Sequence, residues 1–172
     1  MESLVVTVIG KDRPGLVESV SAVVEANGGN WVESRMSRLA GEFAGILRVS
    51  VPAGSVDALS DALEALQAGG LRVAVERGFE ETPEEGHVIL LDLVGSDRPG
   101  IVHAISEALA ARSVNVDELN TECDGAPWSG DTLFKATARL RAPRTLDLDQ
   151  LRESLEAIAG DLMVDISIGE VE

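Results

Sequence analysis

Apolar positions along the chain alternate between two periods, and the switch between them happens in the same order twice. Leu4 to Ile9 is a short run rich in β-branched residues and predicts a strand. Leu16, Val17, Val20, Val23 and Val24 then fall on one helical face, and Asn27-Gly28-Gly29 stops that helix. Trp31 to Leu39 and Phe43 to Val51 read as two strands joined at Ala40-Gly41-Glu42, a hairpin signal. Val56, Leu59, Leu63 and Leu66 stripe a second helix ended by Gly69-Gly70, and Leu71 to Glu76 is a last strand.

The second half repeats the order. His87 to Val94 is a strand; Ile101, Val102, Ile105 and Leu109 stripe a helix; Val114 to Cys123 and Leu133 to Leu140 form a longer hairpin. Leu148, Leu151, Leu155 and Ile158 stripe the last helix, and Leu162, Val164, Ile166 and Ile168 alternate with Met163, Asp165, Ser167 and Gly169 in a strand that buries one face. The order β-α-β-β-α-β, twice, predicts an α+β protein of two ferredoxin-like domains, each an antiparallel sheet with both helices on one face. Residues 1–78 form the first domain, 79–86 a glutamate-rich linker containing Pro83, and 87–172 the second.

The repeat is visible in the residues themselves. Asp12-Arg13-Pro14-Gly15 recurs as Asp97-Arg98-Pro99-Gly100 at an offset of 85, with Val8-Ile9-Gly10 matching Leu93-Val94-Gly95 and Asn30 matching Asn115. Further on, Pro52 matches Pro143 and Leu71-Arg72-Val73 matches Leu162-Met163-Val164 at an offset of 91. The difference is an insertion in the second hairpin, around Asp124 to Gly130, which carries Trp128. A period this long is a duplicated domain rather than a solenoid.

Charge narrows the partners. A formal net charge of −16 repels phosphates and anionic headgroups, so direct binding of nucleic acid or of a membrane surface is not expected. No apolar stretch approaches the roughly 20 residues of a membrane-spanning helix, and the N-terminus lacks the basic region and apolar run of a signal peptide. The single cysteine, Cys123, excludes a disulfide within the chain and a cysteine metal cluster, which fits a reduced, cytoplasmic setting.

Candidate chemistry gathers at the repeated turns. Asp12 and Asp97 can bind an ammonium group, while the free N–H groups of the following helix can bind a carboxylate, the pair of partners that a zwitterion needs. Each aspartate can equally be an N-cap. Gly10, Gly15, Gly95 and Gly100 let backbone approach a ligand, or simply satisfy turn geometry. Asn30 and Asn115 offer an amide to a ligand, or mark a helix-to-strand junction. Arg13 and Arg98 read as solvated side chains, and Cys123 as a buried or half-buried strand residue. His87 and His103 have no carboxylate at metal-ligand spacing, so no metal, no cofactor and no catalytic residue is expected. The inserted loop, Asp124 to Asp131, reads as a contact element, or as a loop folding onto its own domain.

The strand, the Gly-x-Asp-Arg-Pro-Gly start of the helix, and the β-α-β-β-α-β order together resemble the ACT domain family, once per copy over nearly the whole chain. Two copies with nothing appended are similar to the glycine cleavage system transcriptional repressor family. The turn is also similar to that of the N-terminal domain of formyltetrahydrofolate deformylase and of the sensor domain of uridylyltransferases. The resemblance implies a regulatory module rather than an enzyme. Its effector would be a small amino acid, glycine first, bound at a domain interface; it would act on a protein partner as a homodimer, and any effect on transcription would pass through that partner. By likeness to the ACT domain of phosphoglycerate dehydrogenase, the resemblance implies that Asp12 and Asp97, with Asn30 and Asn115, contact the effector; that relative carries a neutral amide at the aspartate position. A structural assembly protein with empty sites and, further off, an enzyme are the other readings. Within one domain the chain geometry carries Asn30 away from Asp12, so the two can converge only if a partner domain supplies one of them.

Overall fold

The computed structural model describes residues 1–78, 86–125 and 132–170. The chain divides into two compact units, Met1–Thr82 and Pro83–Glu172. In the first, β1 (Glu2–Lys11) leads through the Asp-Arg-Pro-Gly turn to α1 (Leu16–Ala26), followed by β2 (Asn30–Leu39), β3 (Glu42–Val51), α2 (Val56–Glu64) and β4 (Arg72–Arg77). All strand pairs are antiparallel and the sheet order is β2-β3-β1-β4. The second unit has β5 (His87–Ser96), α3 (Ile101–Ala110), β6 (Asn115–Gly125), β7 (Thr132–Ala142), α4 (Leu148–Leu162) and β8 (Val164–Glu170), in the order β6-β7-β5-β8. These are the two ferredoxin-like halves that the periodicity predicts.

Burial follows the pattern. Leu4, Val6 and Val8 on β1 meet Leu47, Val49 and Val51 on β3, and this sheet face is closed by Val20 and Val24 of α1 and Leu59 and Leu63 of α2. Ile89, Leu91, Leu93, Leu140, Ile105, Leu151 and Leu155 do the same work in the second unit. Burying one such side chain stabilises by about 1.5–3 kcal/mol. β2 and β6 stand at the sheet edge and are exposed along nearly their whole length.

The strands run further than their apolar runs suggest. Glu2, Ser3, Gly10 and Lys11 all pair with β3, because ladder hydrogen bonds do not require apolar side chains. Leu162, expected in the last strand, instead ends α4; Met163 takes a left-handed backbone (φ 54°) that breaks the helix, so β8 starts at Val164. Residues 79–85 of the linker and residues 126–131 of the inserted loop, with Trp128, lie outside the described residues; Asp124 and Gly125 belong to β6.

Candidate functional site

In the first turn the backbone N–H of Asp12 donates to the Gly41 carbonyl of the neighbouring hairpin (2.9 Å). This holds the end of β1 against β3 and aims the aspartate at the end of β2, where its Oδ2 lies 2.7 Å from Nε of Arg38. Arg13 is exposed, as expected, yet its guanidinium donates to the Gly69 carbonyl (3.1 Å) and ties the turn to the segment between α2 and β4. Gly15 occupies the N-cap of α1 at φ 91°, and no side chain caps the helix. The N-cap alternative for Asp12 is thereby corrected: the left-handed glycine takes that position, and the carboxylate is spent on Arg38.

The second turn has the same backbone and different chemistry. The Asp97 N–H donates to the Thr132 carbonyl (2.8 Å), and Gly100 caps α3 at φ 96° with no side-chain cap, so Asp97 is not an N-cap either. Strand register places Cys123 where Arg38 stands, since Arg38 pairs with Phe43 and Gly10's row, and Cys123 with Phe134 and Gly95's row. No ion pair to Asp97 occurs among the described residues. Cys123 is exposed rather than buried, because β6 is the uncovered edge of its sheet. Desolvation by adjoining atoms, then the negative charges of Asp97 and Asp124, push its thiol pKa above the ordinary value.

The helix starts differ too. Glu18 lies in the first turn of α1, where an acid satisfies the positive end of the helix dipole. The matching position in α3 is His103, and no acid lies in that first turn. The start of α3 thus has neither a side-chain cap nor an acid in its first turn, and the aspartate before it has no ion pair among the described residues. The protein does cap a helix with aspartate elsewhere: Asp147 accepts from the N–H groups of Asp149 (2.9 Å) and Gln150 (3.3 Å) at the start of α4.

The glycines divide by cause. A Cβ on Gly10 would lie 2.8 Å from the Gly70 carbonyl oxygen, just before β4, and one on Gly95 would lie 2.8 Å from Cα of Val164, at the start of β8, so both serve the close approach of neighbouring backbone. Gly15 and Gly100 meet nothing within 4 Å and are required by their backbone angle alone.

Asn30 pairs with Ser50 and Lys11 with Glu42, eight positions apart on β3, about 26 Å at the ~3.3 Å rise of a strand. Asn115 is likewise eight positions from Ser96 along β7, and its amide donates to Oδ1 of Asp117 (2.8 Å). Turn and asparagine thus occupy opposite ends of each sheet. Two residues that shape the turns, Arg38 and Cys123, are missed by reading the turn motif alone; carrying the offset of 85 along the whole hairpin aligns them. Among the described residues, no group of three or more His, Cys, Asp or Glu side chains is placed to hold a metal.

Residues 2–76 match the ACT domain family. The chain is 23% identical to the glycine cleavage system transcriptional repressor of Escherichia coli, over 98% of this chain and 90% of that protein. It is similar to a crystal structure of an unknown protein from Galdieria sulphuraria, at 33% identity and a TM-score of 0.89, covering 99% of both chains. A crystal structure attributed to a glycine cleavage system transcriptional repressor shares the fold, with a TM-score of 0.71 at 21% identity over 99% of this chain and 98% of that one.

Proposed function

We propose, from the match of residues 2–76 to the ACT domain family and the two ferredoxin-like halves of the same order, that the chain is an amino-acid-responsive regulatory protein without catalytic activity of its own. A small amino acid binds at the Asp-Arg-Pro-Gly turns. Its ammonium meets Asp12 or Asp97, and its carboxylate meets the first N–H groups of α1 or α3. The observation that carries this reading is the pair of helices opened by a left-handed glycine with no side-chain cap, each preceded by an aspartate. Such a start leaves backbone N–H groups and a positive dipole end for an anion, with a carboxylate a few residues away for a cation.

If Asn30 or Asn115 also contacts the effector, another domain supplies it, because within a unit it lies about 26 Å away along the strand. That requirement fits a homodimer. Binding then signals to a protein partner in the cytoplasm, and the likeness to glycine cleavage system repressors makes a transcriptional regulator, acting through a separate DNA-binding protein, the first partner to seek. Glycine is the first effector to try.

A structural role for the first turn is favoured by one contact, the Asp12–Arg38 ion pair, which satisfies the carboxylate from within its own hairpin. A melting panel of the full chain against the proteinogenic amino acids at millimolar concentration separates the readings. At 100 times Kd a bound effector adds about 2.7 kcal/mol of stability, a clear rise in melting temperature. A panel with no shift, and calorimetry with no heat of binding, would leave an assembly protein with empty turns.

A further inference from the structure

Both helices of the first unit cover one face of its sheet, and the opposite face carries the residues between the buried ones. On that opposite face the strand register sets Arg35, Ile46, Thr7 and Ala74 in one row, from β2 across to β4. Two residues back along β1, Val5 stands beside Arg48 and Glu76. Two residues on, Ile9 stands beside Ala44 and Arg72. Ile46 is 47% exposed and Ile9 36%, and Thr7, Ala44 and Ala74 are exposed with them. An apolar strip across the middle of an open sheet face marks a surface that another body covers.

The charges beside the strip single out a second copy of the chain. Arg72 and Glu76 lie on the same face of β4, about 13 Å apart at the ~3.3 Å rise of a strand, too far to pair with each other. Neither has an ion pair among the described residues. A two-fold axis running across the strands, along the Thr7 row, exchanges the rows on either side of it. Glu76 of each copy then faces Arg72 of the other, Val5 faces Ile9, and Ile46 faces its own mate, as an isologous contact requires. An axis along the strands would instead set Glu76 against Glu33, so the charges select the first arrangement. Arg35 meets its own mate only at the outer edge, where Glu33 holds it at 2.9 Å. The second unit lacks this self-complementarity. Asp92 takes the place of Thr7, between Thr137 and Ser167, and Asp165 and Gly169 stand where Arg72 and Glu76 do. The same axis there would press Asp92 against Asp92, and like charges brought together across an interface are repulsive.

We propose that the open sheet face of the first unit is the contact between two copies of this chain, packed face to face about a two-fold axis across the strands, with Arg72–Glu76 pairs on both sides. The two sheets would lie about 10 Å apart with their strands roughly aligned. The proposal does not depend on an effector at the turns, so the two readings fail separately. Sedimentation equilibrium of the full chain tests it. The wild type is expected to dimerise, and Ile46→Glu and Thr7→Asp, which installs the second unit's carboxylate, are each expected to raise the dimer Kd at least about tenfold, since symmetry brings every substitution in twice. Asp92→Thr, on the second unit, is expected to leave the Kd unchanged. Circular dichroism checks that each variant keeps its fold. Where the Ile46 or Thr7 variants lose it, charge reversal at the exposed β4 positions carries the test: Arg72→Glu and Glu76→Arg each weaken the dimer by about tenfold, and the two together restore it. A wild-type chain that stays monomeric at high micromolar concentration would overturn the proposal. A dimer indifferent to all four substitutions would overturn the location, and single reversals that weaken it without rescue in the double variant would overturn the axis.

Discussion

Nε of Arg38 lies 2.7 Å from Oδ2 of Asp12, and the strand position that matches Arg38 in the second unit is Cys123. One turn of the duplicated pair therefore has its carboxylate neutralised and the other does not. The Arg38 side chain is about two-thirds exposed, so the pair adds little to stability. Its effect falls on what can approach Asp12. Arg38→Ala is expected to lower stability by less than about 1 kcal/mol and to increase the melting shift produced by glycine. A substituted protein with the same glycine response as the wild type would place Asp12 outside any effector site.

The glycine positions make a prediction that does not depend on a ligand. Gly95→Ala drives a Cβ to 2.8 Å from the backbone of Val164, and Gly10→Ala drives one to 2.8 Å from the Gly70 carbonyl. Backbone cannot step aside as a side-chain tip can, so each is expected to cost about 1–3 kcal/mol in urea unfolding. Gly15→Ala enters open space at φ 91° and costs about 1 kcal/mol through backbone strain alone. Gly15→Asn, which tolerates the left-handed region, is expected to recover part of that loss. Equal losses for alanine and asparagine at this position would remove the backbone explanation.

Cys123 reports on the second turn. A raised pKa keeps the thiol protonated at neutral pH, and only the thiolate attacks an alkylating reagent. Iodoacetamide labelling at pH 7.5 is therefore expected to be slower than for a free cysteine despite full exposure. Asp97→Asn removes one of the charges that raise the pKa and is expected to accelerate labelling. An unchanged rate would mean that the Asp97 carboxylate does not reach the thiol.

The net charge of −16 sets a limit on direct DNA contact. Sequence-specific DNA binding typically has nanomolar or tighter affinity at physiological salt, and most of the attraction comes from cationic side chains on phosphates. The pure protein at nanomolar concentration is expected to leave duplex DNA unshifted in an electrophoretic assay. A specific shift would make the proposed DNA-binding partner unnecessary.

The architecture was legible because two independent patterns agreed: the period of apolar residues and the repeat of the turn. Leu4, Val6 and Val8 alternate, Leu16, Val20 and Val24 follow helical spacing, and both sets are buried. Boundaries were less legible, as Lys11 and Glu2 show, since pairing is a backbone property that polar residues share. The turns were found by their motif, but the difference between them was not, because it lies in residues across the sheet. Arg38 is 26 positions from Asp12 in the chain and reaches it only through the β1–β3–β2 register. The role given to Asp12 and Asp97 as caps failed for a related reason: a left-handed glycine just before the helix displaces any side chain from the cap position.

The two aspartates are expected to differ when each is removed alone. If an amino acid's ammonium is held at the turn, its contact with a carboxylate is worth about 1.5–3 kcal/mol. At the first turn the ligand must displace Arg38 from Asp12, which offsets part of that gain, and its carboxylate approaches a helix start that has the negative charge of Glu18 in its first turn. At the second turn neither competitor is present among the described residues. Asp97→Ala is therefore expected to abolish most of the melting shift produced by a bound amino acid, and Asp12→Ala a smaller part. Because Asp97 has no ion pair among the described residues to lose, the ligand-free melting temperature of Asp97→Ala is expected to stay near that of the wild type, so a lost shift can be assigned to binding rather than to damage. Asp97→Asn keeps the shape and removes the charge; it is expected to behave like the alanine variant if the ammonium contact is ionic. Equal losses at the two turns would mean that Arg38 and Glu18 do not bias the copies, and a larger loss at Asp12 would reverse the assignment of the effector to the second unit.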